Sequence, residues 1–337
     1  MRNLSVEYLR LIFISLVVLL HILWIDYEGL KVVVGDYSLN AFTQLGLTNF
    51  TSLGVSGFIL ISGYYGVKLK LNRIVSLRLQ TTTYSILSVA LLFAFSQIGG
   101  GKLLYGIIDA PLRLFDGWWF LSDYLILMLL SPLINIGINT IGKKELRLII
   151  IMLSFTMYGV EWFHARNASM PLLLFFNTYL IGRYIRLYPI SVLEKYKYVI
   201  FLTGVTLLVV EPMLLHVIGM DGRMKFVGGN FNVLIIIVDI AALLICEKHI
   251  KNGKTNMFTR NVLAVYLIHT SKFGSWILHD VIFCDGLAFD ILFILFVVLS
   301  VVIICVIIEE IRCKITSRIE NGLSKFIDSK INLFTNI

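Results

Sequence analysis

Long apolar runs alternate with short polar stretches along the chain, and each run is about as long as an α-helix that crosses a bilayer. Such a helix needs about 20 mainly apolar residues. The runs lie near 8–25, 46–67, 81–98, 118–141, 147–163, 171–187, 199–218, 231–248, 262–280 and 288–309. They predict an all-α polytopic membrane protein of about ten transmembrane helices. Glycine and polar residues interrupt or shorten the second and fifth runs. No internal repeat, low-complexity segment or second soluble domain is visible.

Composition agrees with this pattern. The 337 residues are 58% hydrophobic and 15% charged, with a mean hydropathy of +0.87. An average soluble domain is about 45–50% apolar and about 25% charged. Water cannot solvate so much apolar surface, so the bilayer must be the solvent for most of it. The first run is too long for the core of a signal peptide and lacks a small-residue cleavage site, which makes it the first span. Cys246, Cys284, Cys305 and Cys313 are scattered without CxxC spacing. No disulfide framework, zinc site or other metal centre is implied.

Charge sets the orientation. The net charge is +8, yet the cations sit in alternate loops rather than in the single patch that nucleic-acid binding requires. One set comprises Arg2 and Arg10, then Lys68, Lys70, Arg73 and Arg78, then Lys143, Lys144 and Arg147. It continues with Arg183, Arg186, Lys195 and Lys197, then Lys248, Lys251, Lys254 and Arg260. Arg312, Lys314, Arg318, Lys325 and Lys330 complete it. The opposite loops carry only Lys31, Lys102, Arg113, Arg166, Arg223 and Lys225. By the positive-inside rule both ends of the chain face the cytoplasm. Residues 1–310 then form the membrane-embedded unit and 311–337 a basic tail. With Ile311, Ile315, Ile319 and Leu323 four residues apart, that tail is either an amphipathic helix on the inner leaflet or a solvated anchor.

Ionisable residues at membrane depth are expensive, and each is a candidate site. Arg10 and His21 are eleven residues apart in the first span, almost three whole turns, so they share a face roughly 16 Å apart along the axis. Glu7 precedes Arg10 by three residues and can pair with it. One reading is an interfacial ion pair and a surface hydrogen bonder. The other is an anion-binding group at cytoplasmic depth and a base near the outer surface. In the ninth span Tyr266, His269, Lys272, Trp276 and Asp280 share one broad face. Lys272 there calls for a partner carboxylate, with Glu211 and Asp239 as candidates, or for a direct chemical role.

Three further stretches stand out. Small residues in the run from Gly57 to Tyr65 allow close helix packing or backbone approach to a ligand. Trp118, Trp119, Phe120 and Leu121, with Asp123, form an aromatic belt or a stacking surface for a substrate. Arg73 and Arg78 serve as positive-inside anchors or phosphate ligands. No GxSxG, Walker loop, HExxH or paired-carboxylate signature is present.

Glu7-Tyr8-Leu9-Arg10 followed at ten residues' distance by His21 resembles the opening signature of acyltransferase family three, the integral-membrane O-acetyltransferases of bacterial surface glycans. The resemblance continues through Phe58–Tyr64, Arg73-Ile74, Trp119-Phe120-Leu121 with Pro132, Gly182-Arg183 and Val265–His269. Two positions depart from it: Glu7 stands where many relatives carry Asp, and Ser76 stands three residues after Arg73, the next arginine being Arg78. The resemblance implies a multi-pass protein of the bacterial inner membrane with acetyl-CoA as cytoplasmic co-substrate and no permanently bound cofactor. The implied acceptor is a hydroxyl of a surface or lipid-linked glycan, such as a capsule polysaccharide, on the outer face. His21 would be the catalytic base, suited to it because an imidazole exchanges protons near neutral pH. Arg10 and Arg73 would hold the phosphates of CoA, its pantetheine arm lying along the stripe from Arg10 to His21. Export of a polysaccharide or lipid-linked sugar is the alternative function, and a structural or sensory membrane role a third.

Overall fold

The computed structural model describes residues 3–23, 39–111, 118–159, 171–220, 232–248, 255–283 and 291–335. Cys284 and the loop cations Lys31, Arg113, Arg166, Arg223, Lys225, Lys251 and Lys254 lie outside the described residues. In chain order the helices are α1 (Leu4–Leu23), α2 (Leu39–Thr51), α3 (Leu53–Tyr65), α4 (Leu71–Ala94) and α5 (Gly100–Asp109). They continue with α6 (Trp119–Thr140), α7 (Lys143–Ser154), α8 (Pro171–Leu187), α9 (Ser191–Val217) and α10 (Val233–Glu247). The last are α11 (Met257–Arg260), α12 (Val262–His269), α13 (Lys272–Trp276) and α14 (Ile291–Thr335). π-helical turns extend α7 through Phe155–Gly159 and α13 through Ile277–Ile282. The described residues contain no strand.

The described part of each apolar run is mainly helical, but only five segments among the described residues are both long and apolar enough to cross a bilayer. These are Leu4–Leu23, Ala41–Tyr65, Trp119–Thr140, Ser191–Val217 and Ile291–Ser317. The others differ for visible reasons. α8 has 17 residues and α10 has 15. α4 buries Gln80, Thr81 and Ser88 along its length, which lowers its apolar content. The run at 262–280 is broken after His269. Outward faces are nonetheless apolar: Leu133 is 70% exposed, Leu202 66%, Leu292 75% and Phe296 67%. Faces of this kind belong against lipid, so this is a membrane protein.

Local chemistry explains the interruptions. At the α2–α3 junction Thr51 Oγ1 and Ser52 Oγ both donate to the Thr48 carbonyl oxygen, at 2.9 and 3.0 Å. Hydroxyls that occupy a helical carbonyl compete with the backbone ladder. Residues 100–109, expected as loop, instead form α5, which leans on α4 through Gly106 and Val89 and turns Leu104, Tyr105 and Ile108 outward. The final helix passes residue 310 without a break.

α1 packs against α3, α10, α12 and α14. The small-residue run on α3 serves packing. A Cβ on Gly54 would stand 2.5 Å from the Phe13 carbonyl oxygen of α1, and one on Gly182 of α8 would stand 2.5 Å from that of Leu60. α1 and the α11–α12 segment run side by side in the same direction. Asn256 Nδ2 donates to the Tyr8 hydroxyl, and thirteen residues further along both segments His21 meets His269.

The end of the bundle at which the chain starts is rich in charge. Asn3 Nδ2 donates to the Glu247 carbonyl oxygen at 2.9 Å. Arg186 lies 3.6 Å from the Glu247 carboxylate, and Lys248 lies 2.5 Å from that of Glu194. Arg186 also donates to the Tyr64 hydroxyl at 3.2 Å, and Arg260 pairs with Glu310.

Candidate active site

α1 carries a polar group near each end. Toward its start, Arg10 Nη1 lies 3.0 Å from Glu7 Oε1, as their spacing of three predicts. The Glu7 side chain is 7% exposed and that of Arg10 29%, so a buried carboxylate holds a guanidinium whose outer edge stays accessible. Toward its end, His21 lies partly exposed.

The stripe between the two is packed. Ile14 is 2% exposed, Val17 5% and Val18 0%, and all three sit in one apolar cluster with Ile59 and Val265. The stripe therefore joins two separate polar sites and is not an open groove. A pantetheine arm lying along it, as expected from the spacing alone, has no room in this packing.

His21 and His269 meet, which neither span by itself reveals. His269 Nε2 lies 3.1 Å from His21 Nδ1, with ring centroids 5.1 Å apart at 62°. His21 Nδ1–H donates to the Val17 carbonyl oxygen at 2.9 Å, and His269 Nδ1–H to that of Val265 at 2.6 Å. His269 is only 3% exposed. The Tyr266 ring packs beside it, 6.3 Å between centroids, and also against Phe120 at 5.8 Å.

The helix break after His269 shapes the site. Thr270 Oγ1 donates to the Tyr266 carbonyl oxygen and Ser271 Oγ to that of Ile268, at 2.5 and 2.7 Å. Ser271 Oγ then accepts from Gly274 N–H at 3.2 Å and caps α13. A Cβ on Gly274 would collide with the Ile268 carbonyl oxygen, so only glycine fits this turn. Trp118 Nε1–H donates to Thr270 Oγ1 at 3.1 Å, and the Phe273 N–H donates to Ser88 Oγ at 2.8 Å. These bonds tie the break to α4 and to the start of α6.

The remaining sequence candidates disperse. Lys272 is exposed at the first residue of α13, because the break rotates it away from the face that a continuous helix would share with His269. It does not pair with either proposed carboxylate. Asn49 and Asn232 donate to Glu211, and Ser56 donates to the buried Asp239. Trp119 is 44% exposed beside Phe175, whereas Trp118 is 5% exposed; the adjacent indole is the one tied to the histidine segment. Arg73 lies exposed in the first turn of α4. Arg78 donates to the Ala110 carbonyl oxygen at 3.3 Å.

Two groups were not singled out from the sequence. Thr270 joins the histidine segment to Trp118, a member of the expected aromatic cluster, and Ser88 receives the chain beyond the break. A buried network also joins α4 to α14. Glu309 accepts from Gln80 at 3.0 Å, from Tyr84, and from Arg312 Nε and Nη2 at 2.7 and 2.8 Å. The three-residue spacing of Glu309 and Arg312 was a legible signal for the ion pair.

The model of a family described as an acyltransferase domain matches residues 3–310. No curated protein and no solved structure matches the chain.

Proposed function

The chain belongs to this acyltransferase family and is a membrane acyltransferase, and from that premise we propose that it moves an acetyl group from acetyl-CoA to a glycan hydroxyl. In this reading acetyl-CoA binds on the cytoplasmic side of a bacterial inner membrane. The acceptor, a surface or lipid-linked glycan, waits on the outer side. The alternation of cations along the chain supports that orientation.

One observation carries the reading: a paired histidine at one end of α1 and an acid-held arginine toward the other. His21, the partly exposed member of the pair, takes the proton of the acceptor hydroxyl as its oxygen attacks the thioester carbonyl. The carbon–sulfur bond breaks and the acyl–oxygen bond forms. The CoA thiolate leaves and takes up a proton to become the thiol. Arg10, kept in place by Glu7, holds CoA phosphate oxygens, and exposed Arg73 is a second cation for them. Because Ile14, Val17 and Val18 close the stripe, the helices around α1 must part, or the thioester must enter by another face.

The test uses membranes containing the protein, supplied with labelled acetyl-CoA. Label should pass to glycan, and His21→Ala should abolish the transfer while the protein stays at normal abundance. Full acetylation by the His21→Ala variant removes the assignment.

A second reading, export of a polysaccharide or lipid-linked sugar, is favoured by the α2–α3 and α12–α13 breaks and by buried Asp239, features that transporters place at their binding sites. Glycan analysis of a deletion strain separates the two. A normal polymer lacking acetyl groups supports transfer, and a missing polymer supports export.

A further inference from the structure

We propose that His269 is a positioning residue that holds His21 in the one tautomer suited to act as a base, with Nδ1 protonated and Nε2 bare. The inference rests on the reading of His21 as the base and goes beyond it by naming the basic atom and what selects it.

The argument is an inventory of donors and acceptors. A backbone carbonyl oxygen only accepts, so the nitrogen that faces one at hydrogen-bond distance carries the hydrogen. That places a hydrogen on Nδ1 of His21, 2.9 Å from the Val17 oxygen, and on Nδ1 of His269, 2.6 Å from the Val265 oxygen. The remaining contact joins His21 Nδ1 to His269 Nε2 at 3.1 Å. A neutral His269 with its hydrogen on Nδ1 has only a lone pair at Nε2. The His21 Nδ1–H is thus shared between Val17 and His269, and the lone pair of His21 lies on Nε2. The opposite tautomer would turn a bare Nδ1 toward two acceptors at once, with no hydrogen among them.

Packing gives the two rings unequal roles. His269 is 3% exposed and held by Tyr266 and the break that follows it, while His21 is partly exposed. The bare nitrogen therefore belongs to the ring that an acceptor hydroxyl can reach. When Nε2 takes that hydroxyl's proton, His21 becomes an imidazolium. Its Nδ1–H then makes a charge-assisted bond to the His269 lone pair. No covalent bond to His269 is made or broken, and the proton stays on His21 Nε2 until it is passed on. A base oriented by a third group is the arrangement that nucleophilic and acid–base sites on unrelated folds share.

The test compares His269→Leu, which removes the acceptor, with His269→Gln, whose amide oxygen restores one. His269→Leu should lower kcat by about 10²–10⁴-fold, with KM for acetyl-CoA changed by less than about twofold. His269→Gln should recover at least about tenfold of that loss. Wild-type kcat in the Leu variant overturns the proposal, as does equal loss in both variants when both reach the membrane in normal amount. Solid-state nitrogen NMR of histidine-labelled wild-type protein in lipid, with His21 assigned by subtraction of His21→Gln, reads the tautomer without any variant of His269. Protonated Nδ1 with bare Nε2 supports the proposal, and protonated Nε2 overturns it. This reading needs no turnover, so a protein that acetylates nothing can lose the proposed function while the tautomer inference is judged separately.

Discussion

At the scale of single residues, burial decides which polar groups can meet a substrate. Arg10 and His21 share a helix face, but the side chains between them are among the best buried in the molecule, with Val18 at 0% exposure. The two residues therefore belong to two sites. If Arg10 contacts the donor and not the reacting atoms, its loss should appear in binding. Arg10→Ala should raise KM for acetyl-CoA about tenfold or more with little change in kcat, measured by initial rates in membranes across donor concentrations. A matching fall in kcat at unchanged KM would place Arg10 elsewhere in the reaction. Lysine should be a poor replacement, because Glu7 and a phosphate together ask for the planar fork of a guanidinium.

At the scale of elements, helix contacts depend on small residues and on local interruptions. α3 lies between α1 and α8 because glycines face both neighbours. A methyl carbon added at Gly182 would lie only 2.5 Å from the Leu60 carbonyl oxygen, and a backbone oxygen cannot move aside as a side-chain tip can. Gly182→Ala should thus destabilise the protein by about 1–3 kcal/mol, seen as a lower unfolding midpoint of purified protein in detergent. An unchanged midpoint would mean that α8 shifts freely. The breaks at Ser52 and after His269 use the same chemistry, hydroxyls on helical carbonyls. The Thr-Ser pair at 270–271 and Gly274 were legible signals for the second break, yet the apolar run around them reads as one helix.

At the scale of the whole molecule, the described residues place a group of ion pairs at the end where the chain starts, and apolar side chains cover the outward faces of the spanning helices. The cation pattern makes a labelling prediction. In a background without the native cysteines, a single cysteine replacing Lys102 should react with a membrane-impermeant maleimide on intact cells. Cysteines replacing Lys68, Lys143 or Lys248 should react only after the membrane is opened. The reverse pattern would invert the orientation and with it the donor side. The continuation of α14 to Thr335 also changes the picture of the chain's end. The basic tail extends the last span as helix, and buried Arg312 ties its start to Glu309.

Apolar run length, the alternation of cations and the Glu7–Arg10 pair were all determined by the sequence alone, because each depends on neighbours within a few helical turns. Helix in the described part of each run, the membrane setting and the ion pair followed from them. Tertiary structure alone decided that His21 meets His269 across 248 positions, that Lys272 turns outward, and that Trp118 rather than Trp119 reaches the histidine segment. It also decided that the line from Arg10 to His21 is filled. The physical reason is the same in each case. Which side chains touch depends on helix register, on where a helix breaks and on which face its neighbours cover, and residues hundreds of positions apart supply those conditions.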